Sequence, residues 1–248
     1  MNFMDKTFIF DLDDTLTYNQ HLYGDAKKKL VEFILTECDP TTLTPDAIID
    51  FQVKVDIEVV KTKGFSSNRF PESCELTFIE LARRSELSET DIAQLSPEAY
   101  HIGKSVFDTR NWTPHMTDGA NDTLNFLKSR GDDLHLVTLG DARIQESKIE
   151  YYQLARWFDS GNMNIVPREK GSRIEKICAG KDKNQVWFVG NSNRSDIQPA
   201  LESGIGAIYV PQETWAYDDD HPQVEAHPRL VTIDSLEQFR EAYEAGLP

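Results

Sequence analysis

Thr7-Phe8-Ile9-Phe10-Asp11-Leu12-Asp13-Asp14 joins a short β-favouring run to an acidic cluster. A buried strand that ends in a polar loop has this pattern. Three similar runs lie late in the chain, at Leu134 to Leu139, Val186 to Val189 and Ala207 to Val210. Helix-like segments separate them, at Asp118 to Arg130, Arg143 to Tyr152, Ser172 to Ala179 and Asp196 to Ser203. Strands alternating with helices of this length predict βαβ crossovers, hence an α/β fold with a Rossmann-like parallel sheet and helices on both faces. Leu230 to Ile233, followed by the helix-like Ser235 to Ala245, is expected to close the sheet.

Residues 18–107 read differently. Apolar residues recur there at helical spacing (Leu30, Phe33, Ile34; Leu76, Ile79, Leu81), and no buried strand interrupts them. A helical domain inserted after the first strand is expected, with a core domain made of residues 1–17 and 108–248. Breaks between its helices are predicted at Asp39-Pro40, along Lys63 to Pro71, and at Ser96-Pro97. The only compositionally biased tract is an acidic turn at Asp218-Asp219-Asp220.

The 248 residues carry 26 basic and 42 acidic side chains, a formal net charge of −16. That surplus repels the phosphates of nucleic acids and anionic lipids, so neither is expected as a partner. A small anion can still bind where basic residues and a cation converge, because local field outweighs net charge at contact distance. The three cysteines form no C-x-x-C pair, and no apolar run reaches the length of a membrane span. A reducing, cytoplasmic setting is the expectation; the oligomeric state is left open.

In a parallel α/β sheet, ligands bind outside the carboxyl ends of the strands. Polar residues at those places are Asp11 and Asp13 after the first run, Thr138 near the end of the second, Lys170 before a helix, and Asn191 with Asp196 after the run at 186–190. Two carboxylates spaced as Asp11 and Asp13 repel each other unless a cation lies beside them, and hard oxygen ligands suit Mg²⁺. Taken alone, the Asp-Leu-Asp triplet also reads as a solvated acidic turn, Thr138 as a strand-end hydroxyl and Lys170 as a charge on a helix's first turn.

Together, FIFDLDDTLT (8–17), LVTLGDARIQESKIE (136–150), the Lys170 of Pro167-Arg168-Glu169-Lys170, and VGNSNRSDIQPALESGIGAIYV (189–210) resemble, in order, the four motifs of the haloacid dehalogenase-like hydrolase superfamily. The resemblance implies Asp11 as nucleophile, Asp13 as general acid/base, Thr138 as phosphate-binding hydroxyl and Lys170 as a catalytic and phosphate-binding cation, with Lys176 as the alternative lysine. It implies Mg²⁺ held by Asp11, Asp13, Asn191 and Asp196. Asn191 departs from the family's usual acid, which places metal affinity in question. Asp13 points to the phosphatase branch, since an alkoxide leaving group needs a proton and a halide does not.

The insert resembles the helical cap that this superfamily places after its first motif. Thirty-one residues between Thr138 and Lys170 are too few for a second cap. The segment Gly64 to Pro71, with Phe65, Arg69 and Phe70, has two readings, a surface connector or a loop that brings Arg69 to the substrate. Two functions stand: a Mg²⁺-dependent phosphatase of a small phosphorylated metabolite, with a phosphomutase as its variant, or a protein of this fold with little turnover that binds a ligand.

Overall fold

The computed structural model describes residues 6–38, 43–212, 224 and 226–248. The expected break at Asp39-Pro40 and the acidic turn at Asp218-Asp219-Asp220 lie outside the described residues. The chain divides into two compact units, Met1–Gln20 with Thr113–Pro248, and His21–Trp112.

The first unit is built on six strands, β1 (Thr7–Phe10), β2 (Asp133–Leu139), β3 (Met163–Val166), β4 (Val186–Gly190), β5 (Gly206–Tyr209) and β6 (Leu230–Thr232). They pair in parallel in the order β3-β2-β1-β4-β5-β6. β1 is therefore central, flanked by β2 and β4, and every one of its side chains is buried. Successive residues of a strand point to opposite faces. Phe8 and Phe10 accordingly join Leu136, Trp187 and Val189 in one core, while Ile9 joins Val137, Val186 and Phe188 in another.

Four α-helices of the second unit precede the rest in chain order: α1 (Gln20–Glu37), α2 (Pro45–Lys63), α3 (Arg69–Arg84) and α4 (Glu89–Lys104). The core helices are α5 (Ala120–Arg130), α6 (Ala142–Tyr151), α7 (Gly171–Cys178), α8 (Gln198–Glu202) and α9 (Phe239–Gly246). Leu124 and Leu127 of α5 and Phe239 of α9 cover one face of the sheet; Ile174 of α7 and Ala200 of α8 cover the other. The doubly wound architecture follows from these two apolar layers.

β3 was not anticipated among the strands. Its Met163-Asn164-Ile165-Val166 is poor in β-branched residues at its start, and as an edge strand it is only partly buried.

In the helical unit, Leu30, Ile34, Phe70, Phe78, Leu81 and Ala99 share one core. Two expected breaks differ from what forms. α4 runs through Pro97, and its buried Ile92, Ser96, Ala99 and Gly103 hold it on both sides of the proline; packing outweighs the local cost of one missing N–H. The second connector is shorter than Lys63 to Pro71. Gly64, at φ 67°, ends α2, and Arg69, Phe70 and Pro71 already belong to α3. Cys38, Cys74 and Cys178 are buried free thiols. No helix among the described residues is long and apolar enough to cross a membrane.

Candidate active site

Strand order reverses direction of growth at β1, between β2 and β4, the place outside the carboxyl ends of the strands where sheets of this kind bind their ligands. Asp11 is the first residue beyond β1, and its N–H donates to the carbonyl of Val189 on β4 at 3.0 Å. The chain then turns sharply. The N–H groups of Leu16 and Thr17 donate to the Leu12 carbonyl at 2.9 and 3.0 Å, and Asp14 adopts φ 58°. Asp14 accepts from the N–H groups of Asn19 and Gln20 at 2.7 and 2.8 Å, which closes the turn within the first unit.

Lys170 reaches the same point from the N-cap of α7 and is 3% exposed. Its ammonium donates to Asp11 Oδ1, and to Asp196 Oδ1 at 2.7 Å. Burial alone would lower the lysine's pKa, but the carboxylates of Asp11 and Asp196 outweigh it and hold the ammonium charged. Burial raises the pKa of Asp11 above the ordinary carboxylate range, against the opposing pull of Lys170. The ring of Phe188 lies 5.5 Å from the ammonium and closes the apolar side of the pair.

Asp196 sits in a π-helical turn, Asn193–Ile197, that follows β4. Single turns of this kind occur often at functional sites. Asp196 is fully buried, and its second oxygen accepts from the Ser192 N–H at 3.0 Å. The turn must pass close to Gly190, because a Cβ there would lie 2.4 Å from Asp196 Oδ2.

Thr15, also buried, offers its hydroxyl to Asp11 Oδ2 at 3.3 Å and to Asn191 Oδ1 at 3.1 Å, so one proton is shared between the motif after β1 and the motif after β4. The structure thus brings together Asp11, Lys170, Asp196 and Asn191.

Asp13 and Thr138 belong to the same constellation through α6. Asp141 caps this helix, accepting from the N–H groups of Arg143 and Ile144. The Gln145 amide nitrogen lies 2.9 Å from Asp13 Oδ2, 2.7 Å from Thr138 Oγ1 and 3.1 Å from the Leu139 carbonyl. Lys148 donates to Asp13 Oδ1 at 2.6 Å and to Asn19 Oδ1 at 2.9 Å.

Thr15, Gln145 and Lys148 were missed from sequence. The last two lie three apart on one face of α6 and are its only buried residues, but nothing in the sequence alone marks that face as buried. Arg69 lies in the helical unit, buried, with its guanidinium paired to Asp56.

Asp11, Asp13 and Asn191 present hard oxygen donors of the kind Mg²⁺ takes. Both oxygens of Asp196, like both of Asp13, already accept from nitrogen donors. No three His, Cys, Asp or Glu side chains among the described residues make a ready metal cluster. Two carboxylates with neutral oxygens nevertheless suit Mg²⁺, which commonly relies on one or two carboxylates plus water and a phosphate.

Residues 6–204 match the family of haloacid dehalogenase-like hydrolases. Among curated relatives, a phosphoglycolate phosphatase from Pseudomonas savastanoi pv. phaseolicola is 23% identical over 232 residues, covering 85% of this chain and 79% of the relative. A phosphoglycolate phosphatase from Pseudomonas putida is 29% identical over 125 residues, covering 48% of this chain and 43% of the relative. Among solved structures, a haloacid dehalogenase-like hydrolase from Xanthomonas campestris superimposes with a TM-score of 0.68 at 21% identity, covering 97% of this chain and 91% of its own. A HAD-hydrolase from Bacillus subtilis, solved bound to magnesium and showing interdomain movement, gives a TM-score of 0.60 at 18% identity, covering 96% and 98%.

Proposed function

The chain belongs to the haloacid dehalogenase-like hydrolases, and from that premise we propose that it is a Mg²⁺-dependent phosphatase that hydrolyses a small phosphorylated metabolite through an aspartyl-phosphate on Asp11. The observation that carries the reading is that Lys170 pairs with Asp11 at the end of β1 while, two residues on, Asp13 is linked through the Gln145 amide to Thr138 of β2. The phosphoglycolate phosphatases among its relatives support a small phosphorylated acid as the substrate type.

Asp11 attacks phosphorus, and the alcohol oxygen leaves with a proton from Asp13. Asp13 then takes a proton from the water that cleaves the acyl phosphate, returning Asp11 as a carboxylate. Lys170, charged and desolvated, stabilises the nucleophile beforehand and the phosphoryl oxygens in transit, and the Thr138 hydroxyl donates to one of those oxygens. Asp196 holds Lys170 beside Asp11 through its Oδ1. Asp11, Asp13 and Asn191 would hold Mg²⁺, which supplies positive charge for the phosphoryl oxygens. The magnesium-bound Bacillus subtilis structure supports this choice of ion.

The helical unit, residues 21–112, acts as a cap that selects the substrate, with Arg69 as its recognition residue. The interdomain movement of the Bacillus subtilis protein supports a cap that opens and closes.

A panel of phosphorylated sugars, acids and nucleotides, with 2-phosphoglycolate among them, assayed with and without Mg²⁺, tests the proposal. Hydrolysis should require Mg²⁺ and vanish in Asp11→Asn, whose neutral amide is a far weaker nucleophile. Near-normal turnover by Asp11→Asn would refute the covalent mechanism; an inactive wild type would favour the ligand-binding reading.

A further inference from the structure

The carboxylate of Asp13 is gripped at both oxygens by one helix. Gln145 holds Oδ2 at 2.9 Å and Lys148 holds Oδ1 at 2.6 Å, while the Asp13 side chain itself stays 24% exposed. We propose that Gln145 and Lys148 are positioning residues that fix the orientation of Asp13 for proton transfer to the leaving group. This rests on the phosphatase reading above and extends it to residues outside the four motifs' reacting groups.

Three features make the grip rigid. First, the Gln145 amide has only one workable orientation. Asp13 Oδ2 and the Leu139 carbonyl are both acceptors, so the group between them must be the NH₂ and not the carbonyl oxygen. Second, the same nitrogen contacts Thr138 Oγ1 at 2.7 Å, which sets the distance between the acid and the phosphate-binding hydroxyl through a single atom. Gly140 makes room for it, at φ 153° and with a hypothetical Cβ 3.2 Å from the amide nitrogen. Third, the Lys148 side chain is only 7% exposed and its ammonium donates to Asp13 and Asn19. Withdrawing it from either partner would leave a desolvated charge short of a contact. Asn19 also donates its N–H to Asp14, so the lysine anchors the turn that carries Asp13 at its far end.

A carboxyl that rotates freely about χ2 spends little time aimed at the leaving oxygen, and small misplacements of a catalytic group carry large rate penalties. The consequence is specific to esters that need the proton. A nitrophenolate leaves without one, whereas an alkoxide does not. The test compares kcat/KM for 4-nitrophenyl phosphate and for the alkyl phosphate that the wild type hydrolyses best, in Gln145→Leu, Lys148→Met and Lys148→Arg. Because kcat/KM ends at the first irreversible step, breakdown of the acyl phosphate does not enter the comparison.

Both Gln145→Leu and Lys148→Met should lose roughly tenfold or more on the alkyl ester beyond any loss on the aryl ester, a part of the usual ~10²–10⁴ contribution of a general acid. Lys148→Arg, which keeps a cationic donor, should recover most of that difference. If Lys148→Met does not fold, as judged by circular dichroism, the neutral Gln145→Leu carries the same comparison. Equal losses on the two esters, or none, with an active wild type overturn the positioning role alone. A wild type that hydrolyses neither ester overturns the phosphatase reading and the positioning role with it.

Discussion

Asp14 illustrates how a residue beside the chemistry can be held against its own charge. Burial raises its pKa to about 6, although the Gln20 and Asn19 N–H groups oppose that rise. A carboxyl whose folded pKa lies above its unfolded value of 3.8 costs stability once it ionises. The cost is complete above pH ~6 and is relieved as pH falls through the folded pKa towards the unfolded one. Asp14→Asn removes the charge, keeps an oxygen for the two N–H groups and suits the positive φ of this position. It should raise stability by about 1 kcal/mol at pH 8 and by little at pH 4, since two pKa units set a ceiling of roughly 2.7 kcal/mol. Thermal melts of both proteins at the two pH values decide it, and a destabilised variant at pH 8 would mean the carboxylate is favoured where it sits. Asn191 has the opposite logic, a neutral oxygen where the family has an acid. If it lies against the ion, Asn191→Asp should lower the Mg²⁺ concentration for half-maximal activity, by about tenfold for each ~1.4 kcal/mol of added attraction. An unchanged titration would remove Asn191 from the ion's ligands.

Among the elements, β4 and β5 approach closely at Trp187 and Gly206. Trp187 is fully buried and pairs with Gly206, where a Cβ would lie 2.3 Å from the indole ring. Overpacking of this kind costs about 1–3 kcal/mol. Gly206→Ala should therefore lower the unfolding free energy by that amount, read as a lower denaturant midpoint at unchanged slope, and an unshifted midpoint would show that the indole can move aside. The strands that lead into the candidate site were legible because each is a short apolar run that stops at a polar residue: β1 at Asp11, and β4 at Asn191. β3 was not legible, since an edge strand starting Met163-Asn164 shows neither burial nor alternation strong enough to mark it. The proline of α4 misled for the converse reason, that a local break is overridden by packing seen only in three dimensions. Gln145 and Lys148 hid in plain polar sequence. Their role depends on partners 132 and 135 positions away, and no spacing along one helix reveals that.

Over the molecule as a whole, the proposed division of labour puts chemistry on the sheet and selection on the helical unit, and Arg69 is where that division is most exposed to test. Its guanidinium is buried against Asp56, whose other oxygen has no hydrogen-bond partner among the described residues. Removing the arginine alone strands a buried carboxylate, a loss of about 3–5 kcal/mol. Arg69→Ala would then lower the melting temperature whether or not the residue meets substrate, so activity of that variant by itself says little. The double variant Arg69→Met with Asp56→Leu removes both charges while keeping hydrocarbon in their place, and it should recover most of the stability. If Arg69 reads the substrate, the double variant will remain altered in its ranking of phosphorylated metabolites through KM, and hydrolysis of 4-nitrophenyl phosphate, with little for a cap to grip, will fall less. A double variant that regains both the wild-type stability and the wild-type ranking would make the Arg69 and Asp56 pair a purely structural feature of the helical unit and would move substrate selection to other residues.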